Sequence, residues 1–413
     1  MGTAMHAIAT QVAAKRAFAR SRIVIRDFPQ GPVQRREDLL PGFVCMGDVD
    51  LGVLSDVVKR AGGRWTHDAV DIEKYLSAQV SDATHREVLG PLLAAQGASG
   101  AVRVGGREVA IWGDPDVAEM AFSVTKSVVS VVAGLAYDEG LLIPDQPVHE
   151  VLDVPEFRGE HNEQITWRHL LQQTSQWEGQ LWGKPTTVDA QSFREGTEVH
   201  GTPPGQGWAY NDVRMNLLTY ALTLLFQHSL EDVLRERVMT PIGASEQWAW
   251  HGYSTSHARI GSRDVPVVSG GAHWGGGLFI PARDLALIGQ LFLDTGLCEG
   301  SRLLSADWIQ QSWTPCPVKR EYGYLWWLNE DQIPWPGAPL TGRSARGNGG
   351  RHLLWVDPAR DLVLASHWTE DPLGLIRAVS DTVTTSRFSL NMPSDAADLS
   401  VRAGRGTGNK PIL

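Results

Sequence analysis

The segment Ser123–Gly140, SVTKSVVSVVAGLAYDEG, constrains the fold of this chain more than any other. Val124, Val128, Val131 and Leu135 recur at helical spacing, Ser127 and Ser130 are small enough to be covered, and Gly140 is a natural stop. A helix this apolar has to be mostly buried, so other elements must wrap it. Lys126 lies inside it, and an ammonium among valines is costly unless something pairs with it. Residues i and i+3 share a helix face, which brings Lys126 within hydrogen-bonding reach of Ser123 at the helix start. Burial and the positive helix end both lower a lysine's pKa, so the expectation is a neutral amine able to take the serine proton. The Ser123 N–H then points at any developing oxyanion. Alone, a Ser-x-x-Lys pair is also read as an N-cap followed by a solvated lysine.

Around that helix the pattern of elements is legible. SGAVRV, Gly105-Gly106 and REVAIWG read as a β-hairpin closed by a Gly-Gly turn. Residues 70–93 suggest one or two helices. ITWRHLLQQTS, DVRMNLLTYALTLLF and ARDLALIGQLFL are helical patterns in the middle of the chain, and the loop from Trp177 to Thr197 is rich in Gly, Gln and Thr. After residue 320, YGYLWWLN, RHLLWVD and DLVLASHW read as strands, and LGLIRAVSDTVTTSRF as a closing helix. Strands, a helical middle, strands again and a last helix imply an α+β fold of three-layer α/β/α sandwich type. Its antiparallel sheet is drawn from both ends of the chain, with flanking helices and a mostly helical inserted domain. The expected divisions are a loosely ordered leader at 1–42, a sheet domain from 43–145 and 300–391, a mainly helical domain at 146–299, and a flexible polar, Gly-rich tail at 392–413.

Composition narrows the function classes. Charged residues make up 20% of the 413 and the formal net charge is -10, which argues against a phosphate-binding surface and hence against nucleic acid as a partner. The basic residues near the start (Lys15, Arg16, Arg20, Arg22, Arg26) are broken by apolar positions. Three distant cysteines, Cys45, Cys298 and Cys316, give no disulfide framework and no Cys-x-x-Cys pair, so a reducing compartment is expected. The first residues lack the order of a secretory signal, and no run approaches the ~18 apolar residues of a membrane span. A cytoplasmic protein without membrane association is the expectation. No Gly-x-Ser-x-Gly, His-Glu-x-x-His, Walker or dinucleotide motif occurs, and His149-Glu150 lacks a second histidine; neither metal nor cofactor is implied.

Five segments in order then carry a family resemblance. AFSVTKSVVSVVAGLAYDEGLLIPDQPV resembles the first motif of the β-lactamase-like serine hydrolases: class C β-lactamases, D-alanyl-D-alanine carboxypeptidases, related esterases and amidases, and some acyltransferases. ITWRHLLQQTSQWEG resembles the segment that commonly reads Leu-Leu-x-His-Thr-Ser-Gly, with Gln172-Gln173 in place of the histidine and expected to be structural. PPGQGWAYNDVRMNLL resembles the Tyr-x-Asn segment, placing Tyr210 at the tyrosine and Asp212 at the asparagine. GGGLFIPARDLALIG is similar to another recurrent segment, and GNGGRHLLWVDPARDLVLASHW to the last motif, Lys-Thr-Gly or His-x-Gly, with the strands after it.

The resemblance implies a fold, a reaction and a set of roles. Ser123 is the nucleophile of an acyl-enzyme. Lys126 and Tyr210 share the acid and base work, the phenol held near ionisation by the neighbouring ammonium. Backbone N–H groups of Ser123 and Arg351 form the oxyanion hole, and Gly349 and Gly350 allow close approach of strand to substrate. Asp212 and Asn348 border the substrate, or are respectively a helix N-cap and a turn residue. Among the 16 Trp, Trp177, Trp182 and Trp274 wall the cleft or serve ordinary packing. Asn348 stands where carboxylate-binding members carry a cation, which favours a small neutral ester or amide over β-lactams and peptide C-termini. Arg346 or Arg351 is available to restore the charge. β-Lactamase or D-Ala-D-Ala peptidase-like activity, acyl transfer, and a non-catalytic ligand-binding role motivated by Asp212 and Asn348 are the alternatives; the oligomeric state is not readable.

Overall fold

Two strands from before the helical middle and four from after it make one antiparallel sheet. The computed structural model describes residues 53–54, 56–58, 87, 89–90, 97–188, 201–271 and 277–383. The early strands are β1 (Ser99–Val104) and β2 (Arg107–Trp112), joined through Gly105 and Gly106, both at positive φ as the tight turn requires. A short strand β3 (Ala118–Met120) leads into helix α1 (Val124–Asp138). The middle of the chain supplies α2 (Trp167–Leu171), α3 (Asp212–Phe226), β4 (Ala249–Trp250), β5 (Leu278–Pro281), α4 (Ala282–Leu293) and α5 (Ala306–Ser312). The late strands are β6 (Trp327–Leu328), β7 (Arg343–Gly347), β8 (His352–Asp357) and β9 (Leu362–His367), followed by α6 (Pro372–Thr382). The sheet runs β6-β7-β8-β9-β1-β2, and β3, β5 and β4 form a second, three-stranded sheet in that order.

Alternation along the strands sends side chains to two buried faces. Val102, Val104, Leu353, Trp355, Leu362 and Leu364 pack with Leu375, Ile376 and Val379 of α6 and with Leu54 and Val58. Ala101, Leu354, Val356, Val363 and Ala365 belong to the larger core on the opposite side, which includes α1 and α4. Helices on both faces of an antiparallel sheet are the expected α+β arrangement, with β8 and β9 fully buried and correspondingly continuous in hydrophobic residues.

Helix α1 is buried from Val124 to Ala136, as its composition demands. Its small residues are used: the Ser127 hydroxyl donates to the Leu325 carbonyl at 2.6 Å, and a Cβ on Gly134 would lie 2.5 Å from the Trp308 ring of α5. Several readings shift. ITWRHLLQQTS is helical only through Leu171, because Gln173 at φ 56 turns the chain away. YGYLWWLN narrows to the two residues of β6, because Leu325 is at φ 65 and Gly323 donates to the Trp326 carbonyl. Strand β7, Arg-Ser-Ala-Arg-Gly, carries no apolar run and so gives no strand signal, yet it is held between β6 and β8. The leader, the tail and most of 70–93 lie outside the described residues. Among the described residues no helix is long and apolar enough to cross a membrane.

Gly289 marks where α4 meets the sheet: a Cβ there would lie 2.6 Å from Val363 and 2.7 Å from Leu354. Gly289→Val is therefore expected to destabilise the fold by about 1–3 kcal/mol through overpacking, seen as a lower midpoint of urea unfolding.

Candidate active site

Ser123 sits where β3 hands over to α1. Phe122, just before it, is left-handed at φ 50, a conformation that costs a bulky residue about 1–3 kcal/mol and needs support. Its ring packs 4.6 Å from His352 and edge-on at 5.7 Å to Trp368, while its carbonyl accepts from the Thr125 hydroxyl at 2.6 Å. Strand β7 closes the other side: a Cβ on Gly347 would fall 2.6 Å from the Ala121 carbonyl oxygen and 2.9 Å from the Ser123 nitrogen. Ser123 occupies the N-cap position of α1, but its hydroxyl makes no cap hydrogen bond. Instead it accepts from the Lys126 ammonium at 3.0 Å.

Lys126 is 1% exposed and Asp212 is 3% exposed, and their charged atoms are 2.5 Å apart. The Lys126 nitrogen also lies 4.4 Å from the centre of the Tyr210 ring, and the phenol hydrogen-bonds with both Ser123 and Lys126. This reverses two electrostatic expectations. Burial does lower the lysine pKa, but the charge of Asp212 and the Tyr210 contact outweigh it, so the ammonium is held above its ordinary range. For Tyr210 burial raises the pKa, the ammonium opposes it, and Asp212 restores it; the phenol ends above its ordinary value rather than near ionisation. Asp212 is also not an N-cap. Asn211 caps α3, its side-chain oxygen accepting from the Arg214 N–H at 3.1 Å, and Asp212 is the first helical residue.

The chain around Tyr210 is fixed from both sides by Gln173. Its carbonyl accepts from the Ala209 N–H and its side-chain oxygen from the Asn211 N–H, both at 3.0 Å, while its amide donates to the Tyr322 hydroxyl at 2.8 Å. Asn211 further donates to the Thr186 carbonyl at 3.0 Å. A wall of backbone completes the enclosure: a Cβ on Gly271 would fall 2.4 Å from the Lys126 nitrogen and 2.9 Å from Asp212. Asn216 of α3 anchors that segment by accepting from the Ser269 hydroxyl and the Gly270 N–H, each at 3.0 Å.

The sequence that builds this site and its α+β frame matches a family model. The profile described as Beta-lactamase covers residues 85–380. The chain belongs to the beta-lactamase family. It is a serine hydrolase of that family, and similar proteins agree. A 6-aminohexanoate-dimer hydrolase from Paenarthrobacter ureafaciens is 23% identical over 299 residues, 62% of this chain and 68% of that protein. A novel penicillin-binding protein homolog from Caulobacter crescentus superposes with a TM-score of 0.53 at 16% identity, over 77% of this chain and 98% of its own. A class C beta-lactamase in complex with cefoxitin gives 0.51 at 14% identity, over 81% of this chain and 100% of its own. At those identities the two structures show the fold.

Within this beta-lactamase family site, the last motif departs from expectation. The Arg351 N–H donates to the Asn348 carbonyl at 3.3 Å within the turn Asn348–Gly350, so it is not aimed at an oxyanion. The close approach to Ser123 belongs to Gly347. Gly349 has open space around its Cβ position, and the Gly350 position meets the Trp335 ring; both are glycine because φ is 69 and 94. Asn348, at φ 51, has the conformation of a turn residue. Trp177 is no cleft wall: it is 1% exposed, its ring nitrogen donates to the Glu156 carbonyl and its own carbonyl accepts from Arg214. Trp182 packs edge-on to Tyr220, farther along α3. Trp274 lies outside the described residues.

Other aromatics pack around Tyr210. Trp327 stacks on Tyr210 at 6.2 Å, with Trp208 and Tyr322 against it, and the Arg346 guanidinium lies 3.8 Å from the Trp327 ring centre. Of the two indoles in YGYLWWLN, Trp327 turns to Tyr210 and Trp326 packs into the core against Phe292 and Trp313. Behind Phe122, His352 and His367 share an Nδ1 to Nδ1 hydrogen bond of 3.0 Å, which needs one ring to donate and the other to accept. Burial pushes His367 down to about 4, partly opposed by a backbone hydrogen bond to Ile280; burial, His367 and Arg351 push His352 down.

Two outcomes follow. Gly271→Ala crowds the Lys126 ammonium, and is expected to lower the turnover of an activated ester on the order of 10²-fold and to lower the midpoint of urea unfolding. The histidines set an acid limit on stability. Unfolded histidine takes a proton below about 6.5 whereas folded His367 resists to about 4, so stability is complete above the first value and falls toward the second. The loss from His367 alone is about 3 kcal/mol, and urea unfolding at pH 7.5 and 4.5 measures it.

Proposed function

We propose that this hydrolase forms an acyl-enzyme on Ser123 with small linear esters or amides and releases the acyl group to water. The observation that carries this reading is the Ser123 hydroxyl: it sits at a buried helix start, is not spent on capping, and meets Lys126 and Tyr210. In the reaction Ser123 attacks the carbonyl carbon. Tyr210, protonated at neutral pH, serves as the acid toward the leaving group, and the Lys126 side receives the serine proton. The Ser123 N–H serves as a donor to the oxyanion, and Gly347 lets the β7 backbone pass close beside it. The 6-aminohexanoate-dimer hydrolase among the relatives supports hydrolysis, and supports an amide beside an ester as substrate. A cytoplasmic setting, with a small molecule rather than nucleic acid or membrane as partner, remains part of the proposal.

Arg346 favours a second reading of the substrate. The cation missing at Asn348 is supplied next to Gly347 by a guanidinium lying against Trp327, with Trp335 at 5.9 Å. A carboxylate on the acyl chain or leaving group would meet it there.

Incubation with a fluorophosphonate is expected to add one adduct at Ser123, and Ser123→Ala to abolish both adduct and turnover of a short-chain p-nitrophenyl ester. Folded protein without adduct refutes the acyl-enzyme. Arg346→Ala is expected to raise KM roughly tenfold for an ester bearing a terminal carboxylate and to leave the neutral ester nearly unchanged. Equal effects on both esters rule out the anionic reading.

A further inference from the structure

We propose that Asp212 is the final acceptor of the Ser123 proton, reached through Lys126. The inference rests on the acyl-enzyme reading and concerns how that site moves its proton. Three observations support it. The Lys126 nitrogen stands between the Ser123 hydroxyl, at 3.0 Å, and the Asp212 carboxylate, at 2.5 Å, so it touches both ends of a two-step transfer. An ammonium in that position has no lone pair for the serine proton until one of its own protons leaves, and the carboxylate is placed to take it. Lys126 and Asp212 are closed off by the Gly271 backbone and are 1% and 3% exposed, which keeps bulk water from serving as acceptor.

The steps balance. As the Ser123 oxygen bonds to the carbonyl carbon, its proton passes to Lys126 while a lysine proton passes to Asp212. The carbonyl π pair moves onto its oxygen. Lys126 ends as an ammonium and Asp212 as a neutral acid. When the tetrahedral centre collapses, the pair on the oxygen re-forms the carbonyl and the bond to the leaving group breaks. That group leaves with the Tyr210 proton. The Asp212 proton then returns through Lys126 to the phenolate, which restores all three side chains. The net result is acyl-Ser123 plus a protonated leaving group, and water reverses the sequence. Tyr210, Ser123 and Lys126 touch the reacting atoms. Asp212 acts through Lys126, as a positioning residue that stores a proton.

The groups that face Lys126 are Asp212 on α3, Tyr210 before it and Ser123 on α1. Replacing Asp212 with the uncharged isostere therefore removes the acceptor and leaves a lysine that must first lose a proton to solvent. The test is the pH dependence of acylation by p-nitrophenyl acetate from pH 5 to 10 in the wild type, Asp212→Asn and Asp212→Glu. The expected wild-type profile is flat through neutrality. Asp212→Asn leaves burial in control of the lysine, and its acylation is expected to fall on the order of 10²-fold at pH 6 and to recover with unit slope to a plateau at about pH 8. Asp212→Glu is expected to keep the wild-type shape. A uniform drop in Asp212→Asn, or a profile superposing on the wild type, overturns the assignment.

A proton inventory on the wild type in mixed H2O and D2O tests the same step without a variant, should Asp212→Asn fail to fold. Two protons in flight give a curved dependence, and a straight line overturns the proposal. Fluorophosphonate labelling of the wild type separates the two claims. No label at any pH refutes the acyl-enzyme itself, whereas labelling with a straight inventory refutes only the part given to Asp212.

Discussion

The Lys126 ammonium and the Asp212 carboxylate meet 2.5 Å apart where almost no surface of either is exposed, and much of the site follows from that contact. Taking two charges out of water costs several kcal/mol each, and their attraction offsets this only with close geometry and further hydrogen bonds. The geometry is supplied by two helix starts brought face to face, α1 bearing Lys126 and α3 bearing Asp212. An apolar pair of similar volume would fill that space at no electrostatic penalty, which is in keeping with the chemical role proposed for the charges. With Asp212 in place the lysine is held as an ammonium and the tyrosine as a phenol. In the proposed mechanism the task divides accordingly: proton acceptance on the lysine side, proton donation from Tyr210.

The surroundings serve to hold these groups still. Gln173 grips the backbone on both sides of Tyr210, Asn216 fixes the glycine segment that closes over Lys126, and Gly347 lets β7 pass against Ser123. Each contact is made by backbone or by an amide with more than one bond, so small errors in position are not tolerated. Phe122 carries the strain of its left-handed backbone because His352 and Trp368 pack on its ring. The neutral histidine pair behind it links the position of the nucleophile to the acid stability of the sheet.

Much of this was legible in residue order. The apolar run announced a buried helix, and the hairpin, α3, β8 and β9 were visible from periodicity and turn residues. Other parts were hidden for physical reasons. Strand β7 is polar in sequence because its arginines lie along indoles instead of entering an apolar core. Asp212 read as a residue bordering substrate because distance between segments is not encoded in spacing; only the fold shows that a carboxylate 86 positions away ends beside Lys126. That single juxtaposition also explains why a local estimate from burial and the helix dipole gave the lysine the wrong charge. Trp177 and Trp182 were drawn to the cleft by the family resemblance of their segments, whereas Trp327 comes to Tyr210 from the edge of the sheet.

The charge of Lys126 decides between these descriptions, and it is open to direct observation. Protein labelled with 13C at the lysine ε-carbon, with the Lys126 signal assigned by comparison with Lys126→Met, reports ionisation through its chemical shift. Titrated from pH 6 to 10, the Lys126 resonance is expected to stay at the ammonium position throughout. A midpoint below about 8, in the range of lysines whose pKa is lowered by burial alone, would show a neutral amine and contradict the role given to Asp212.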